Sequence, residues 1–191
     1  MSQTIERVRI LGISGSLRKV SFSTALLTIL AQRAAPAVDL QVVTLDDIPF
    51  YNEDLDIAPG IPAVNALKQA VAASDAVLFS TPEYNHGIPG VLKNALDWLS
   101  RPVFNSCFKD KPVSIITSSL AFTGGVRAQY QLRETLISMQ AHIVPGPEVV
   151  IGNVHHKFSQ GIYNDEAGLD FMLKSVARLS ESALSRRGIL V

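Results

Sequence analysis

The feature that most restricts this chain is a repeated alternation. A short apolar run closes on a glycine-, serine- or proline-rich turn, and a stretch follows in which apolar residues recur every three or four positions. The first run is Val8 to Ser14, and the stripe behind it is Phe22, Ala25, Leu26, Ile29 and Leu30. Unbroken apolar runs suit strands buried on both faces, and three- and four-residue steps suit a helix lying on a sheet. Further strands are expected at Leu40 to Leu45, Asp75 to Ser80 and Val113 to Ser118. His142 to Val144 supplies a fifth, with Val149 to Ile151 as a candidate extension. Helices are expected near 63–73, after Pro89 (buried stripe Val91, Leu92, Ala95, Leu96, Leu99), over Val126 to Gln140, and over roughly Asp165 to Arg187. Five strands alternating with five helices, without a repeat or linker, predict an α/β fold: one three-layer, doubly wound parallel sheet occupying residues 1–191 as a single domain.

Charge narrows the partners. Lys plus Arg and Asp plus Glu both total 17, which removes the bulk attraction that nucleic acid or an anionic membrane would need. A small molecule is the expected partner. Cys107 is alone, so no internal disulfide can form, as suits a reducing compartment. The Met1-to-Arg7 start lacks the basic and apolar regions of a secretory signal, and no apolar run is long enough to span a membrane. A cytoplasmic location is therefore expected. The 47% apolar content leaves room for a surface used in self-association.

Doubly wound sheets bind ligands beyond the carboxyl ends of their strands, near the switch in strand order, so the loops after strands one, three and four are the places to look. The first runs from Gly12 to Thr24 and combines glycine flexibility with Ser14, Ser16, Ser21, Ser23, Thr24 and Arg18 at a helix start. Backbone N–H groups, hydroxyl donors and a permanent charge there would cradle a phosphate. The loop matches neither the dinucleotide fingerprint nor the nucleotide P-loop, so a terminal monophosphate fits better than a pyrophosphate. An ordinary serine-capped helix is the competing reading. The second loop, Thr81-Pro82-Glu83-Tyr84-Asn85, offers a stiffened turn, an aromatic face and amide groups on which a flat heteroaromatic could lie; a plain β-to-α turn explains it equally well. The third, Thr117-Ser118-Ser119-Leu120-Ala121-Phe122-Thr123-Gly124-Gly125, has paired glycines that permit close backbone approach, which a glycine turn before a helix would also require. One ligand with a phosphate at one end and a ring at the other would touch all three.

At these residues the chain resembles the NADPH-dependent FMN reductase family of flavodoxin-like proteins, and within it the bacterial quinone and chromate reductases. The likeness spans nearly the whole chain. It is carried by Gly15-Ser16-Leu17-Arg18-Lys19-x-Ser21-Phe22, by Pro82-Glu83-Tyr84-Asn85 with Pro89-Gly90-Val91-Leu92-Lys93-Asn94-Ala95-Leu96-Asp97-Trp98, and by Gly124-Gly125-Val126-Arg127-Ala128-Gln129. Leu120-Ala121 stands where relatives usually carry Pro-Gly. The resemblance implies strand order 2-1-3-4-5 and an FMN cofactor. Ser16, Arg18, Ser21, Ser23 and Thr24 would surround its phosphate; Pro82, Glu83, Tyr84 and Asn85 would border its ring, with Ser118, Ser119 and Gly124 from the third loop. It also implies a homodimer or homotetramer, in which residues matching Arg127 and Glu148 pair between subunits. The activity implied is reduction of quinones, and of chromate, azo or nitro compounds, with NADPH or NADH as co-substrate and ping-pong hydride transfer through flavin N5. Tyr84 is the catalytic candidate, holding nicotinamide and acceptor against the ring rather than moving a proton. A reductase that releases reduced FMN, and a flavodoxin-type carrier with no NAD(P)H oxidation, are the alternatives.

Other candidates read as structural. Adjacent His155 and His156 suit a surface loop, and no metal is expected. His86 suits a solvent-facing loop position, Cys107 a small filler, Glu83 a loop residue whose backbone matters, and Trp98 core or subunit packing.

Overall fold

β1 (Val8–Ser14) is buried along nearly its whole length because it has strands on both sides and helices over both faces. It pairs in parallel with β2 (Val38–Val43) and with β3 (Ala76–Pro82). β3 pairs with β4 (Pro112–Ser118), and β4 with β5 (His142–Ile143) and β6 (Val149–Ile151), all parallel. The resulting order is 2-1-3-4-5, as expected. The computed structural model describes residues 7–188; the segment Met1–Glu6, read above for a secretory signal, lies outside them.

Alternation along the strands divides the core in two. Ile10, Leu78 and Ile116 face one side, where α1 (Phe22–Ala34) brings Leu26, Leu27 and Leu30 and α5 (Glu166–Arg186) brings Met172, Val176 and Leu179. Leu11, Ile13, Val77, Phe79 and Ile115 face the other. There they meet Leu67 and Val71 of α2 (Pro62–Ala73), Leu92 and Leu96 of α3 (Gly90–Leu99), and Leu132 and Leu136 of α4 (Val126–Ser138). The chain leaves β1 toward β2 and then returns past β1 to β3. This puts the switch point between β1 and β3, directly beneath the first and second loops.

Three local features differ from expectation. β2 starts and stops two residues earlier, and Leu45 is buried beyond its end rather than within it. The fifth strand is two pieces, each paired with β4, because the Gly146-Pro147 step cannot continue a ladder. A small antiparallel hairpin, β7 (Phe158–Ser159) and β8 (Ile162–Tyr163), turns on Gln160 and Gly161, both at positive φ, and had no counterpart among the expected elements. Among the described residues no helix is long and apolar enough to cross a membrane.

Asp75 ties the start of the sheet to the end of α5. Its carboxylate accepts from the Arg9 backbone N–H at 2.7 Å and from the Arg187 guanidinium. Burial alone would raise its pKa, but those two partners outweigh burial and hold it below the ordinary 3.8. A depressed folded-state pKa means that the stabilisation is fully present above the unfolded value and fades as pH falls through the folded one. Asp75→Asn is therefore expected to lower stability by about 1–3 kcal/mol at pH 7. Urea denaturation at stepped pH should show the gap from the parent closing only below about pH 4.

Candidate functional site

The first loop is shaped by its own hydroxyls. Ser21 caps α1, its Oγ accepting from Thr24 N–H at 3.2 Å, while Thr24 Oγ1 pairs with Ser14 Oγ at 2.8 Å and Ser16 Oγ accepts from Arg18 N–H at 3.4 Å. Phe22 and Ser23 lie ahead of the first helical hydrogen bond. Their N–H groups meet no partner among the described residues, which leaves the positive end of α1 open to an anion. The loop crosses the end of β3 closely, Gly15 N–H donating to Ser80 O at 2.8 Å. A β-carbon on Gly15 would lie 2.3 Å from Thr81 Oγ1, so only glycine permits this crossing.

In the second loop Tyr84 and Gly87 exchange backbone hydrogen bonds of 2.9 and 3.0 Å around Asn85 and His86. Both central residues have positive φ, the requirement of a tight hairpin turn. Asn85 and His86 form its exposed tip, and Tyr84 stays about half exposed at 47%. Glu83 turns away: Oε2 accepts from the N–H groups of Arg127 and Ala128 at 2.9 and 3.2 Å and caps α4 from another part of the chain. That side-chain role was not anticipated. Its only signal in the sequence is that Gly125, at the start of α4, has no side chain to cap with.

The third loop is stitched to β6 and the turn behind it by Ser119 N–H to Ile151 O, Val154 N–H to Ser119 O and Asn153 N–H to Ala121 O, at 3.0 to 3.1 Å. Gly124 packs on β6, where a β-carbon would lie 2.8 Å from Ile151 N.

The three loops enclose one cavity of about 370 Å³. Ser16, Arg18, Ser21 and Ser23 line one part of it; Pro82, Glu83, Tyr84, Ser118 and Ser119 line the rest, together with Phe22, Leu120, Ala121 and Val154. Thr24, Asn85 and Gly124 stand outside the lining, as buttress, turn tip and packing contact. Val154 comes from the turn after β6, and no motif marked it. The lining is thus polar and anion-seeking over the start of α1, and apolar and aromatic over Tyr84, Leu120, Ala121 and Val154. A molecule with a phosphate tail and a flat head fits that division.

The remaining candidates lie elsewhere. Cys107 donates to Leu99 O at 3.7 Å, and burial pushes its thiol up to about 11, the opposite of an activated nucleophile. Trp98 is 1% exposed and donates from Nε1 to Pro49 O at 2.9 Å. The rings of His155 and His156 sit 3.9 Å apart on the surface, and among the described residues no group of three His, Cys, Asp or Glu could hold a metal. Arg127 pairs with Glu83 of its own chain at 3.8 Å, and Glu148 with Arg133 at 3.6 Å.

A 2-1-3-4-5 parallel sheet with an anion cradle and an aromatic-walled cavity at its switch point is the arrangement of a flavodoxin-like flavoprotein. The NADPH-dependent FMN reductase family model matches residues 8–156, and the chain belongs to that family, whose members are oxidoreductases that use FMN and a nicotinamide donor. It is 38% identical to an NAD(P)H-dependent FMN reductase of Pseudomonas aeruginosa, over 90% of this chain and 93% of that one. It is 36% identical to a quinone reductase of Escherichia coli, over 92% and 95%. Among solved structures, the flavoenzyme NAD(P)H:(acceptor) oxidoreductase FerB of Paracoccus denitrificans superimposes with a TM-score of 0.82 at 32% identity, covering 93% of this chain and 98% of that one.

Proposed function

We propose that the protein is an FMN-dependent NAD(P)H:quinone oxidoreductase, a cytoplasmic single-domain chain working as a homodimer or homotetramer, with chromate, azo and nitro compounds as side acceptors. The observation that carries this reading is the single cavity joining the anion cradle to the Tyr84 wall. The names of the relatives supply the quinone. Ser16, Arg18, Ser21 and Ser23 hold the phosphate, with the free N–H groups of Phe22 and Ser23, and Thr24 braces the helix start. Pro82, Glu83, Tyr84, Ser118 and Ser119 border the ring, and the turn at Asn85 and the packing of Gly124 shape the loops that carry them. FMN, when bound, supplies the hydride-accepting and electron-donating chemistry.

This chain's residues bind, orient and shield. Glu83 is committed to the α4 cap and Cys107 is held protonated, so neither serves as base or nucleophile in this reading. Tyr84 keeps half its surface open, and donor and acceptor stack on it in turn. Because both use one place, ping-pong kinetics are expected.

The purified protein is expected to be yellow, to bleach on addition of NADPH without oxygen, and to regain colour when a quinone follows. Colourless protein that refuses added FMN would overturn the reading, and colour that neither nicotinamide bleaches would replace it with an electron carrier. The relative named as an FMN reductase supports a second reading, supply of free reduced flavin. Flavin that remains bound through many turnovers selects the first reading, and flavin released once per turnover selects the second.

A further inference from the structure

Tyr84 stands on a short hairpin turn whose own hydrogen bonds are the two between Tyr84 and Gly87, and whose tip is exposed. Such a turn would not by itself keep a ring edge in one place. Two side-chain contacts tie it to α4. On the strand side, Glu83 accepts from Arg127 and Ala128 N–H. On the helix side, Gln131 Oε1 accepts from Ile88 N–H at 2.7 Å. Gln131 follows Arg127 and Ala128 by about one helical turn, so one tie meets the N-terminal end of α4 and the other a side chain one turn further on. Ile88 is 7% exposed, which leaves its N–H little access to water if Gln131 is removed. Gly87 shows how close the amide comes: a β-carbon there would lie 2.4 Å from Gln131 Oε1.

We infer that Gln131 is a positioning residue for the acceptor and nicotinamide site: it locks the far end of the Tyr84 turn to α4, as Glu83 locks the near end. Gln131 does not line the cavity. Its effect reaches the reaction through Tyr84, and in this it rests on the proposed function. Removing it should loosen the grip on donor and acceptor, while the phosphate cradle keeps the protein loaded with FMN.

The test compares Gln131→Ala with Gln131→Glu, which keeps an acceptor oxygen, each also in a Tyr84→Ala background. Gln131 is on the outer surface of α4, so neither change opens the core. Gln131→Ala should speed amide exchange at Ile88 and raise the quinone KM about tenfold, the scale of one partly buried hydrogen bond. FMN stoichiometry and kcat should hold, and Gln131→Glu should restore both exchange and KM. In the Tyr84→Ala background Gln131→Ala should add nothing, because the two act as one unit. Unchanged exchange at Ile88 would overturn the tie, and this readout needs no flavin. A KM rise of the same size without Tyr84 would overturn the route through the ring. Parent protein that takes up no FMN would remove the functional reading, while exchange at Ile88 still reports on the tie.

Discussion

Gly15→Ala is expected to strip the protein of most of its FMN. The added methyl would sit 2.3 Å from Thr81 Oγ1 and 2.7 Å from Thr81 Cβ. Thr81 is fully buried in β3 and paired in register with Thr117. Rotating its side chain moves Oγ1 but not Cβ, so either the loop or the strand must shift. The loop is the softer of the two, and it carries Ser16 and Arg18 to the cradle while Tyr84 stays with β3. Drawing Ser16 and Arg18 away from a phosphate loses hydrogen bonds to a charged group worth about 1.5–3 kcal/mol each, and a rise on the order of 100-fold in the FMN dissociation constant is the expected result of a fluorescence titration. Glycine here is needed for space, not for a left-handed backbone. Thr81→Gly clears both contacts, and in the Gly15→Ala background it should recover much of the lost affinity. A Gly15→Ala protein that binds FMN like its parent would show that the first loop does not hold the phosphate.

What could be read before the structure was known followed from periodicity and local chemistry. Periodicity depends on residues close in sequence, so the strands of the main sheet, the helices and the loops between them were legible, whereas the β7–β8 hairpin, too short to show a period, was not. Ser16, Arg18 and Tyr84 could be picked out because a helix start and an aromatic turn announce themselves locally. Contacts between distant segments leave no such mark. Glu83 caps a helix that begins more than forty residues later, and Gln131 reaches back about as far to Ile88. Both looked like ordinary loop and helix-surface polar residues. Val154 joins the cavity only because the split fifth strand turns back under the third loop. Thr24 shows the converse: a hydroxyl in the right motif is spent on Ser14 rather than on the cavity.

The largest loss of stability is expected from Trp98→Ala. Trp98 is among the largest fully buried side chains, and its ring meets Tyr51 edge-on at 4.9 Å. Truncating a buried tryptophan costs about 3–5 kcal/mol, a large part of the roughly 5–15 kcal/mol that holds a domain folded. A fall in Tm of roughly 10 °C or more should accompany it. The indole also donates to Pro49 O, and Trp98→Phe separates that bond from the packing. Pro49 O keeps a second donor, Asn94 Nδ2 at 2.8 Å, while Asn94 Oδ1 accepts from Tyr51 N–H at 2.7 Å. The carbonyl is therefore never left unpaired, and Trp98→Phe should lose about 1 kcal/mol for the bond, plus a packing cost below that of the alanine. Urea denaturation of the three proteins distinguishes the cases. A phenylalanine variant as unstable as the alanine one would make the bond to Pro49 the dominant contribution. If both stayed close to the parent, Trp98 could not be anchoring α3 to the Pro49–Tyr51 segment through its contacts with Pro49 O and the Tyr51 ring.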